Sequence, residues 1–339
     1  MPMTSRTFGT MPDGTPVKSV TISNGDLTAT ILTFGAVIQD IRLAGVPHPL
    51  VLGYDNIEAY RRNRTYFGAI AGRFANRIAE GRFSIDGQDY QVSQNEAPNH
   101  LHGGFDGFGT RVWTLLRSSP SSVTLGITSA DGEEGYPGKV EVELTYSIEA
   151  PGTLKTEISA TTDKPTLVNL AQHSYFNLDG AGTIRDHVLT IPAETYLPID
   201  AGKIPTGEFR PVAGTEYDFR NGRRFGEGHD GVVESYDHNM VVRREKVATP
   251  QPIAVLASSK SGVALEVTST EPGVQFYGGQ MVASKDKGIN GEVYGANAGL
   301  CLEAQLFPDA PNQKDFPSAV LRPGETYHQE TLFRFSRTG

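Results

Sequence analysis

The sequence contains one cysteine, no long apolar run and fewer basic than acidic residues. Because Cys301 is alone, no disulfide can form within the chain, and the fold must depend on burial and hydrogen bonding. A membrane-spanning helix needs about 18 or more consecutive apolar residues, and the sequence has no such run. The first residues, Met1 to Arg6, also lack the apolar core of a signal peptide. We therefore expect a cytoplasmic protein without a membrane partner.

The charge balance is acidic. The chain carries 39 acidic and 30 basic residues, which gives a formal net charge of -9. Proteins that bind nucleic acid neutralise phosphates with clustered lysines and arginines, so this balance argues against a nucleic-acid partner. The charge alone does not select a substrate.

Turn-forming residues, by contrast, are abundant: the 339 residues include 38 glycines and 21 prolines. Such a composition is typical of many short segments joined by turns. The best helical candidate, Asn56 to Asn63, is about two turns long, whereas about fifteen segments have the composition or alternation of strands. The pattern predicts an all-β protein, a large antiparallel β-sandwich, and excludes βαβ units. No linker divides the chain, so we expect one domain over residues 1–339.

Glycine-containing turns place two hairpins in this pattern. One turn is Asn24-Gly25-Asp26, and the other is Asp86-Gly87-Gln88-Asp89. The predicted strands are those at 17–23, 27–32, 36–43, 83–85, 90–92, 111–117, 122–128, 140–148, 153–162, 166–171, 187–191, 239–243, 253–258, 263–269, 274–277, 299–305 and 329–335.

One histidine lies where a predicted strand ends. The run from Thr166 to Ala171 is rich in Val, Leu and Thr, and His173 follows it, just before the turn residues at 177–180. Histidine has the side-chain pKa closest to neutrality, which suits proton transfer. A core histidine bonded to the backbone would produce the same local pattern. The other polar segments are therefore needed to decide between a catalytic and a core histidine.

Polar residues also cluster at other strand borders, where the loops of a sandwich often carry function. Arg77 offers a planar fork of donors for neighbouring hydroxyls or an anion, with a structural ion pair as the alternative. His100 and His102 would share one side of a strand, so a metal site is an alternative there. Asp237 lies just before the predicted strand at 239–243, where an aspartate more often forms a turn.

A carboxylate interrupts the predicted strand at 299–305. Leu300, Leu302 and Ala304 alternate with Cys301, Glu303 and Gln305, so Glu303 is predicted to face away from the leucines. Burial without a partner is unfavourable for an ionised carboxylate. Such burial would raise the pKa of Glu303 toward that of a base that works near neutral pH.

Taken together, these segments resemble the aldose 1-epimerase (galactose mutarotase) family, and the resemblance extends from Phe8 to Phe335. Each motif alone is weak, but six of them occur in the family's order. They are Gly-Arg-x-Ala-Asn-Arg at 72–77, Asn-x-Leu-His-Gly-Gly at 99–104, His-x-Tyr-Phe-Asn-Leu at 173–178, Asp-His-Asn at 237–239, Pro-Gly-Val-Gln-Phe-Tyr at 272–277, and Glu-x-Gln with Pro-Asp-Ala at 303–310.

The resemblance implies a β-sandwich with the sugar in an open cleft on a sheet face. It assigns Glu303 as catalytic base and His173 as catalytic acid. It also implies sugar-binding roles for Asn76, Arg77, His102, Asp237 and Gln275. His100 occupies the variable position of its motif, so no role is carried to it. The segment Gly278-Gly279-Gln280-Met281 departs from the more usual Thr-Gly-Asn-Phe, which leaves the sugar preference open.

The implied chemistry is the opening and reclosure of a cyclic hemiacetal, which interconverts the α and β anomers of free aldohexoses such as galactose or glucose. Glu303 takes the proton of the anomeric hydroxyl while His173, as imidazolium, protonates the ring oxygen. Both groups must then be charged at once. Only protons move, so we expect no cofactor and no metal. The expected partner is a small-molecule aldose, and the chain is expected to act as a monomer or a homodimer.

Four other functions remain open at this point. A hexose 6-phosphate 1-epimerase would need cationic residues near the sugar's 6-position. A carbohydrate-binding sandwich would have the cleft without the catalysis. A glycosidase would use Asp237 and Glu303 as its two carboxylates. A metal enzyme would use His100 and His102.

Overall fold

Antiparallel β-strands form most of the structure, a computed structural model that describes residues 5–227 and 235–337. A single short α-helix, α1, covers Ile57–Arg62 within these residues, and six 3-10 helices of three residues each occur elsewhere in them. In chain order the strands are β1 Ser5–Thr10, β2 Pro16–Asn24, β3 Leu27–Leu32, β4 Ile38–Leu43, β5 Ala69–Ala71, β6 Arg77–Ile78, β7 Arg82–Ile85, β8 Gln88–Gln91, β9 His100–Leu101, β10 Thr114–Ser119, β11 Ser122–Ser129, β12 Val140–Glu149, β13 Thr153–Thr162, β14 Thr166–Leu167, β15 Ala171–His173, β16 Tyr175–Phe176, β17 Val188–Thr190, β18 Thr195–Tyr196, β19 Arg210–Pro211, β20 Arg223–Arg224, β21 Asp237–Val241, β22 Gln251–Ser258, β23 Val263–Ser269, β24 Gly273–Tyr277, β25 Leu300–Gln305, β26 Val320–Leu321 and β27 Tyr327–Arg337.

Three large sheets contain 19 of these strands, and the other eight form the two-stranded sheets β14-β26, β15-β5, β6-β9 and β7-β8. The largest has nine strands in the order β10-β11-β12-β13-β27-β23-β22-β17-β20, a second has six in the order β16-β25-β24-β21-β18-β19, and a third has β1 to β4 in sequence. Every strand pair in them is antiparallel. The predicted all-β, antiparallel sandwich is therefore confirmed.

The hydrophobic core lies between the sheets. Strand β12 shows the underlying pattern, because Val140, Val142, Leu144, Tyr146 and Ile148 are buried while the residues between them are less so. One continuous apolar cluster combines these side chains with residues from the six-stranded and four-stranded sheets. The alternating apolar side chains of each strand thus pack into one shared core, which holds the sheets against one another.

The predicted local signals are found where expected. In the β7–β8 hairpin, Asp86 and Gly87 have φ of 53° and 81°, the left-handed values that a two-residue hairpin turn requires. Helix α1 starts after Asn56, whose side-chain Oδ1 accepts a hydrogen bond of 2.9 Å from the N–H of Ala59. No helix in the described ranges is long and apolar enough to cross a membrane.

The predicted strand from Thr166 to Ala171 is instead two short strands, β14 and β15. Between them, the backbone N–H groups of Val168 and Asn169 donate to the carbonyls of Ala319 and Arg73, which belong to different segments. The chain therefore has no single partner strand there. The consequence for the site is that β15 pairs with β5 and ends at His173, as predicted.

Candidate active site

All seven residues predicted to catalyse or to bind substrate line one cleft. The cleft has a volume of about 290 Å³ and is partly open to solvent, which places it close to the lower end of the range of about 300–1,000 Å³ typical of small-molecule sites. The seven are Asn76, Arg77, His102, His173, Asp237, Gln275 and Glu303. A second cleft of about 250 Å³ shares Tyr66 and Arg64 with the first but contains none of the seven.

The floor of the cleft is built by three neighbouring strands of the six-stranded sheet. Glu303 on β25 pairs in register with Gln275 on β24, and Asp237 begins the next strand, β21. Leu302 and Ala304, which flank Glu303, enter the apolar core. Glu303 therefore faces the opposite side, as the alternation predicts.

His173 and Glu303 lie side by side. The distance from His173 Nε2 to Glu303 Oε1 is 3.6 Å, and the side chains are only 7% and 2% exposed. The other ring nitrogen, Nδ1, is 3.5 Å from the sulfur of Cys301. Glu303 Oε2 is buried and has no hydrogen-bond partner among the described residues. A proton donor and a proton acceptor are thus directed at the same small volume, with one oxygen left for a ligand.

Burial controls the protonation of both groups. Removal from water raises the pKa of Glu303 well above its ordinary value, and the nearby Asp237 raises it further, while Arg77 opposes the shift. Burial also lowers the pKa of His173 to about 4, against an opposing effect of Asp237. The direction predicted for Glu303 is confirmed. However, both shifts favour uncharged groups in the cleft as it stands, whereas the predicted chemistry starts from a charged pair.

His102 is held in one tautomer by the backbone. Its ring Nδ1 accepts a hydrogen bond of 3.1 Å from the backbone N–H of Asn76, and the backbone N–H of His102 donates to the Asn76 carbonyl, also at 3.1 Å. Burial lowers the pKa of His102 well below its usual value. With Nδ1 as acceptor, the proton of the neutral ring is on Nε2, which is then available as a donor.

The remaining binding residues occur in charge-paired groups. Arg77 donates to Glu96 through Nε at 2.5 Å and through a terminal nitrogen at 2.8 Å. Asp237 accepts from Gln275 Nε2 at 3.0 Å on one oxygen and from Lys203 Nζ at 2.8 Å on the other. These contacts fix the groups in place and still leave lone pairs and N–H donors for hydroxyl groups.

Aromatic rings support the two histidines. Tyr66 packs 4.8 Å from the His102 ring and 5.8 Å from the His173 ring, measured between centroids. Tyr175 stacks on His173 with a centroid distance of 5.1 Å. Such packing limits the rotation of the imidazoles and excludes water from one side of each ring.

His100 lies outside this site. Its Nε2 is 2.7 Å from the Tyr136 hydroxyl, and its Nδ1 is 2.6 Å from the Ser93 carbonyl oxygen. Strand β9 ends at Leu101, and His102 has a φ of 51°, so the two histidines do not share a strand face. The alternative of a metal site formed by His100 and His102 is therefore wrong.

A different trio could hold a metal ion. One ring nitrogen each of His102 and His173 and one oxygen of Glu303 lie within 4.8 Å of one another. Two imidazoles and a carboxylate are a donor set found in catalytic zinc sites. The expectation that the chemistry needs no metal stays a prediction, and activity measured in the presence of a chelator tests it.

Several residues of the cleft were not predicted from the sequence. Glu96 and Lys203 pair with predicted residues, and Tyr66, Tyr277 and Met281 line the wall. Lys203 follows Asp200-Ala201-Gly202, a turn signal that could have marked the loop. No local pattern indicates Glu96, because its partner Arg77 is 19 residues earlier in the chain.

Comparisons with known proteins identify the family of the chain. The family model described as aldose 1-epimerase matches residues 18–334. Galactose mutarotase from Mus musculus is 42% identical over 345 residues, with 98% of each chain covered. Aldose 1-epimerase from Escherichia coli K12 is 33% identical over 350 residues, covering 98% of this chain and 99% of that protein. The crystal structure of an aldose epimerase homologue from C. elegans superposes with a TM-score of 0.89 at 34% identity, covering 95% of this chain and all of the other.

These matches extend over nearly the whole chain and include each element that forms the cleft. The chain therefore belongs to the aldose 1-epimerase family, carbohydrate isomerases that interconvert the α and β anomers of aldoses, and the predicted fold, family and enzyme class are confirmed.

Proposed function

We propose that the aldose converted in this cleft is a free hexopyranose such as galactose or glucose, and that Glu303 and His173 carry its two protons. The observation that carries this proposal is the 3.6 Å separation of His173 Nε2 and Glu303 Oε1 in a buried part of the cleft. The anomeric oxygen O1 and the ring oxygen O5 are bonded to the same carbon, so a base and an acid this close can reach both.

Ring opening uses the charged form of the pair. The Glu303 carboxylate removes the proton of O1–H, and the His173 imidazolium gives a proton to O5 as the C1–O5 bond breaks. The product is the open-chain aldehyde with a protonated Glu303 and a neutral His173. Rotation about the C1–C2 bond presents the other face of the aldehyde, and reclosure reverses both transfers to give the other anomer.

The pKa shifts of Glu303 and His173 favour the state that follows ring opening, in which Glu303 is protonated and His173 is neutral. Protonated Glu303 with neutral His173 contains the same number of protons as the ion pair, so the two forms differ only in where one proton lies. Burial favours the uncharged form in the cleft. We infer that a bound sugar shifts the balance, because its O1–H can donate to the carboxylate and its O5 can accept from the imidazolium. The charged state then forms only when there is a substrate to use it.

The other residues position the sugar. His102 can donate from Nε2 and Arg77 from its remaining N–H groups, whereas Asp237 accepts. Gln275 Oε1 is buried and has no partner among the described residues, which makes it a further acceptor for a hydroxyl. Fixed donors near O1 and O5 also stabilise the charge that develops during ring opening.

The electrostatics of the cleft favour a neutral sugar over a sugar phosphate. Of the cations that line it, Arg77 is paired with Glu96 and Lys203 with Asp237. A dianionic 6-phosphate would have to compete with these carboxylates or rely on Arg64 at the rim. Hexose 6-phosphate therefore remains the second candidate, and comparing glucose 6-phosphate with glucose as substrates separates the two.

Polarimetry of freshly dissolved α-D-galactose and α-D-glucose tests the assigned roles. The wild-type protein should accelerate the decay of optical rotation, whereas Glu303→Ala and His173→Ala should each lose about 10² to 10⁴ in rate, the usual contribution of one positioned acid or base. Circular dichroism should show that both variants remain folded. If the wild-type protein is active and one of the folded variants keeps full activity, the residue replaced in that variant is not the catalytic base or acid.

We further propose that residues 1–339 act as one domain, in the cytoplasm, as a monomer or a homodimer. The apolar cluster that joins all three sheets supports a single domain, and a lone buried cysteine is consistent with a reducing compartment. Light scattering on the eluate of a size-exclusion column measures the oligomeric state.

A further inference from the structure

One cation of the cleft is held by an unusual backbone. Lys203 has a φ of 61°, in the left-handed region that non-glycine residues rarely adopt. The turn around it is fixed, because Asp200 Oδ1 accepts from the N–H groups of Gly202 at 2.8 Å and Ile204 at 2.9 Å. Asn99 also donates to the Gly202 carbonyl at 3.1 Å. The strained residue is therefore locked in position, and its side chain enters the cleft.

The side chain of Lys203 meets the carboxylate of Asp237. Its Nζ is 2.8 Å from Asp237 Oδ2, and the Met281 sulfur lies 3.9 Å away. An ammonium group has three N–H donors, so at least one is left for a ligand, and Asp237 retains lone pairs beside it. The pair thus offers a donor and an acceptor next to each other, an arrangement that matches neighbouring hydroxyl groups of a sugar.

The position of this pair indicates which part of the sugar it would contact. Asp237 is on β21, two strands away from Glu303 on β25, with β24 between them. Neighbouring strands are spaced by about 4.8 Å, so the two backbones are roughly 10 Å apart. A pyranose with C1 at Glu303 would direct the opposite side of its ring toward Asp237 and Lys203. Met281 belongs to the segment that departs from the family's usual sequence, so the rim differs where Lys203 contacts it.

We propose that Lys203 determines sugar specificity: together with Asp237 it forms a donor–acceptor pair that binds hydroxyl groups on the side of the aldose remote from C1. This inference rests on the proposed aldohexose substrate. A plain surface ion pair is the competing explanation, since Lys203 is about one-third exposed and such pairs contribute little to stability. An ion pair of that kind would not distinguish one sugar from another.

The test compares Lys203→Met, which keeps the length of the side chain without its charge, with Lys203→Arg, which keeps the cation. The substrates are D-glucose and its 3-deoxy, 4-deoxy and 6-deoxy analogues, followed by polarimetry. In Lys203→Met we expect KM for glucose to rise about tenfold, the usual effect of losing one hydrogen bond from a charged donor, with kcat changed less than about threefold. For the analogue that lacks the contacted hydroxyl, KM should change less than about twofold. Lys203→Arg should recover part of the loss.

The outcomes are distinguishable. Lys260→Met, at an exposed position in the β22–β23 turn, is the matched control and should behave as wild type. An unchanged KM in Lys203→Met, or an equal rise of KM for all four sugars, would overturn the specificity role while leaving the proposed function intact. If the wild-type protein itself fails to accelerate mutarotation of glucose and galactose, the proposed substrate is wrong.

Discussion

Two regions of the molecule take residues from the same two motifs, but one region is a buried cluster and the other is the substrate cleft. The motif at 72–77 supplies Arg73 to one region and Arg77 to the other, and the motif at 99–104 divides His100 and His102 in the same manner. We call the first region the closed cluster and define it as Arg73, His100 and Tyr136. The second is the cleft.

The closed cluster satisfies most of its polar groups internally, although Arg73 Nε is buried and has no partner among the described residues. Arg73 donates to the carbonyls of Pro137, Gly138 and Ala130 at 2.8 to 3.0 Å, and its guanidinium lies 5.3 Å from the Tyr136 ring centroid. The Tyr136 hydroxyl in turn contacts His100. In the cleft, Glu303 Oε2 and Gln275 Oε1 are likewise buried and have no partner among the residues that the structure describes. Unpartnered atoms therefore occur in both regions, but only those of Glu303 and Gln275 line a cleft that can admit a ligand, whereas Arg73 lies outside it.

The largest contrast is expected between two histidines. Burial lowers the pKa of both His100 and His173 to about 4, so neither the pKa nor the burial distinguishes them. His173→Ala should reduce the turnover of α-D-galactose by about 10² to 10⁴ and change the melting temperature little. His100→Ala should keep the turnover of the folded protein within about threefold, because His100 does not face the cleft.

Thermal unfolding completes the comparison. His100→Ala leaves the Tyr136 hydroxyl and the Ser93 carbonyl without their partner, which costs about 1–3 kcal/mol of unfolding free energy. If the two variants instead lost activity and stability in the same proportion, the division into a closed cluster and a cleft would be wrong.

The two arginines give the next contrast, this time in stability. Arg73→Met should lower the unfolding free energy by about 3–5 kcal/mol, since it removes the donor to three backbone carbonyls in a buried site. Arg77→Met leaves Glu96, whose side chain is 42% exposed and can be hydrated, so its stability should fall by less than about 1 kcal/mol. Arg77→Met should instead raise KM for the sugar, because the variant lacks donors to the sugar hydroxyls. Urea denaturation of both variants and polarimetry of Arg77→Met test this, and a larger loss of stability in Arg77→Met would contradict it.

Local sequence patterns predicted most of this structure, because strand alternation and turn chemistry act over a few residues. They placed Asp86-Gly87 in a hairpin, located the short helix within Asn56 to Asn63 and predicted that Glu303 faces away from Leu302. The resemblance to a family then selected side chains that meet in one cleft.

Contacts between residues far apart in the chain could not be predicted from local sequence patterns. The orientation of His100 depends on Tyr136, which lies 36 residues later, and the pairing of Lys203 depends on Asp237, 34 residues away. The predicted strand at Thr166 to Ala171 divides in two because its N–H groups donate to separate segments. Such contacts arise from the assembled sheets and leave no periodic signal in the sequence.

The smallest expected effect compares two buried carboxylates. Glu271, outside the cleft, has Lys246 Nζ at 2.7 Å from its Oε1, whereas Glu303 has no such neighbouring cation within ion-pair distance among the described residues except His173. Burial raises the pKa of both, and the cations Lys246 and Arg243 oppose the shift at Glu271. Of these two carboxylates, Glu303 therefore has less stabilisation of its ionised form by neighbouring cations.

This difference predicts a pH dependence for Glu303→Gln. A carboxyl whose pKa is raised by folding binds its proton more tightly in the folded than in the unfolded state, so above the unfolded pKa of about 4.3 stability falls as pH rises, until the folded pKa is reached. Glutamine has no proton to lose and removes that slope, at about 1.4 kcal/mol per unit of pKa shift at most. The melting temperature of Glu303→Gln relative to wild type should therefore increase from pH 5 to pH 8. A difference that stays constant over this range would mean that Glu303 ionises in the folded protein as easily as in the unfolded chain, and the contrast with Glu271 would then be wrong.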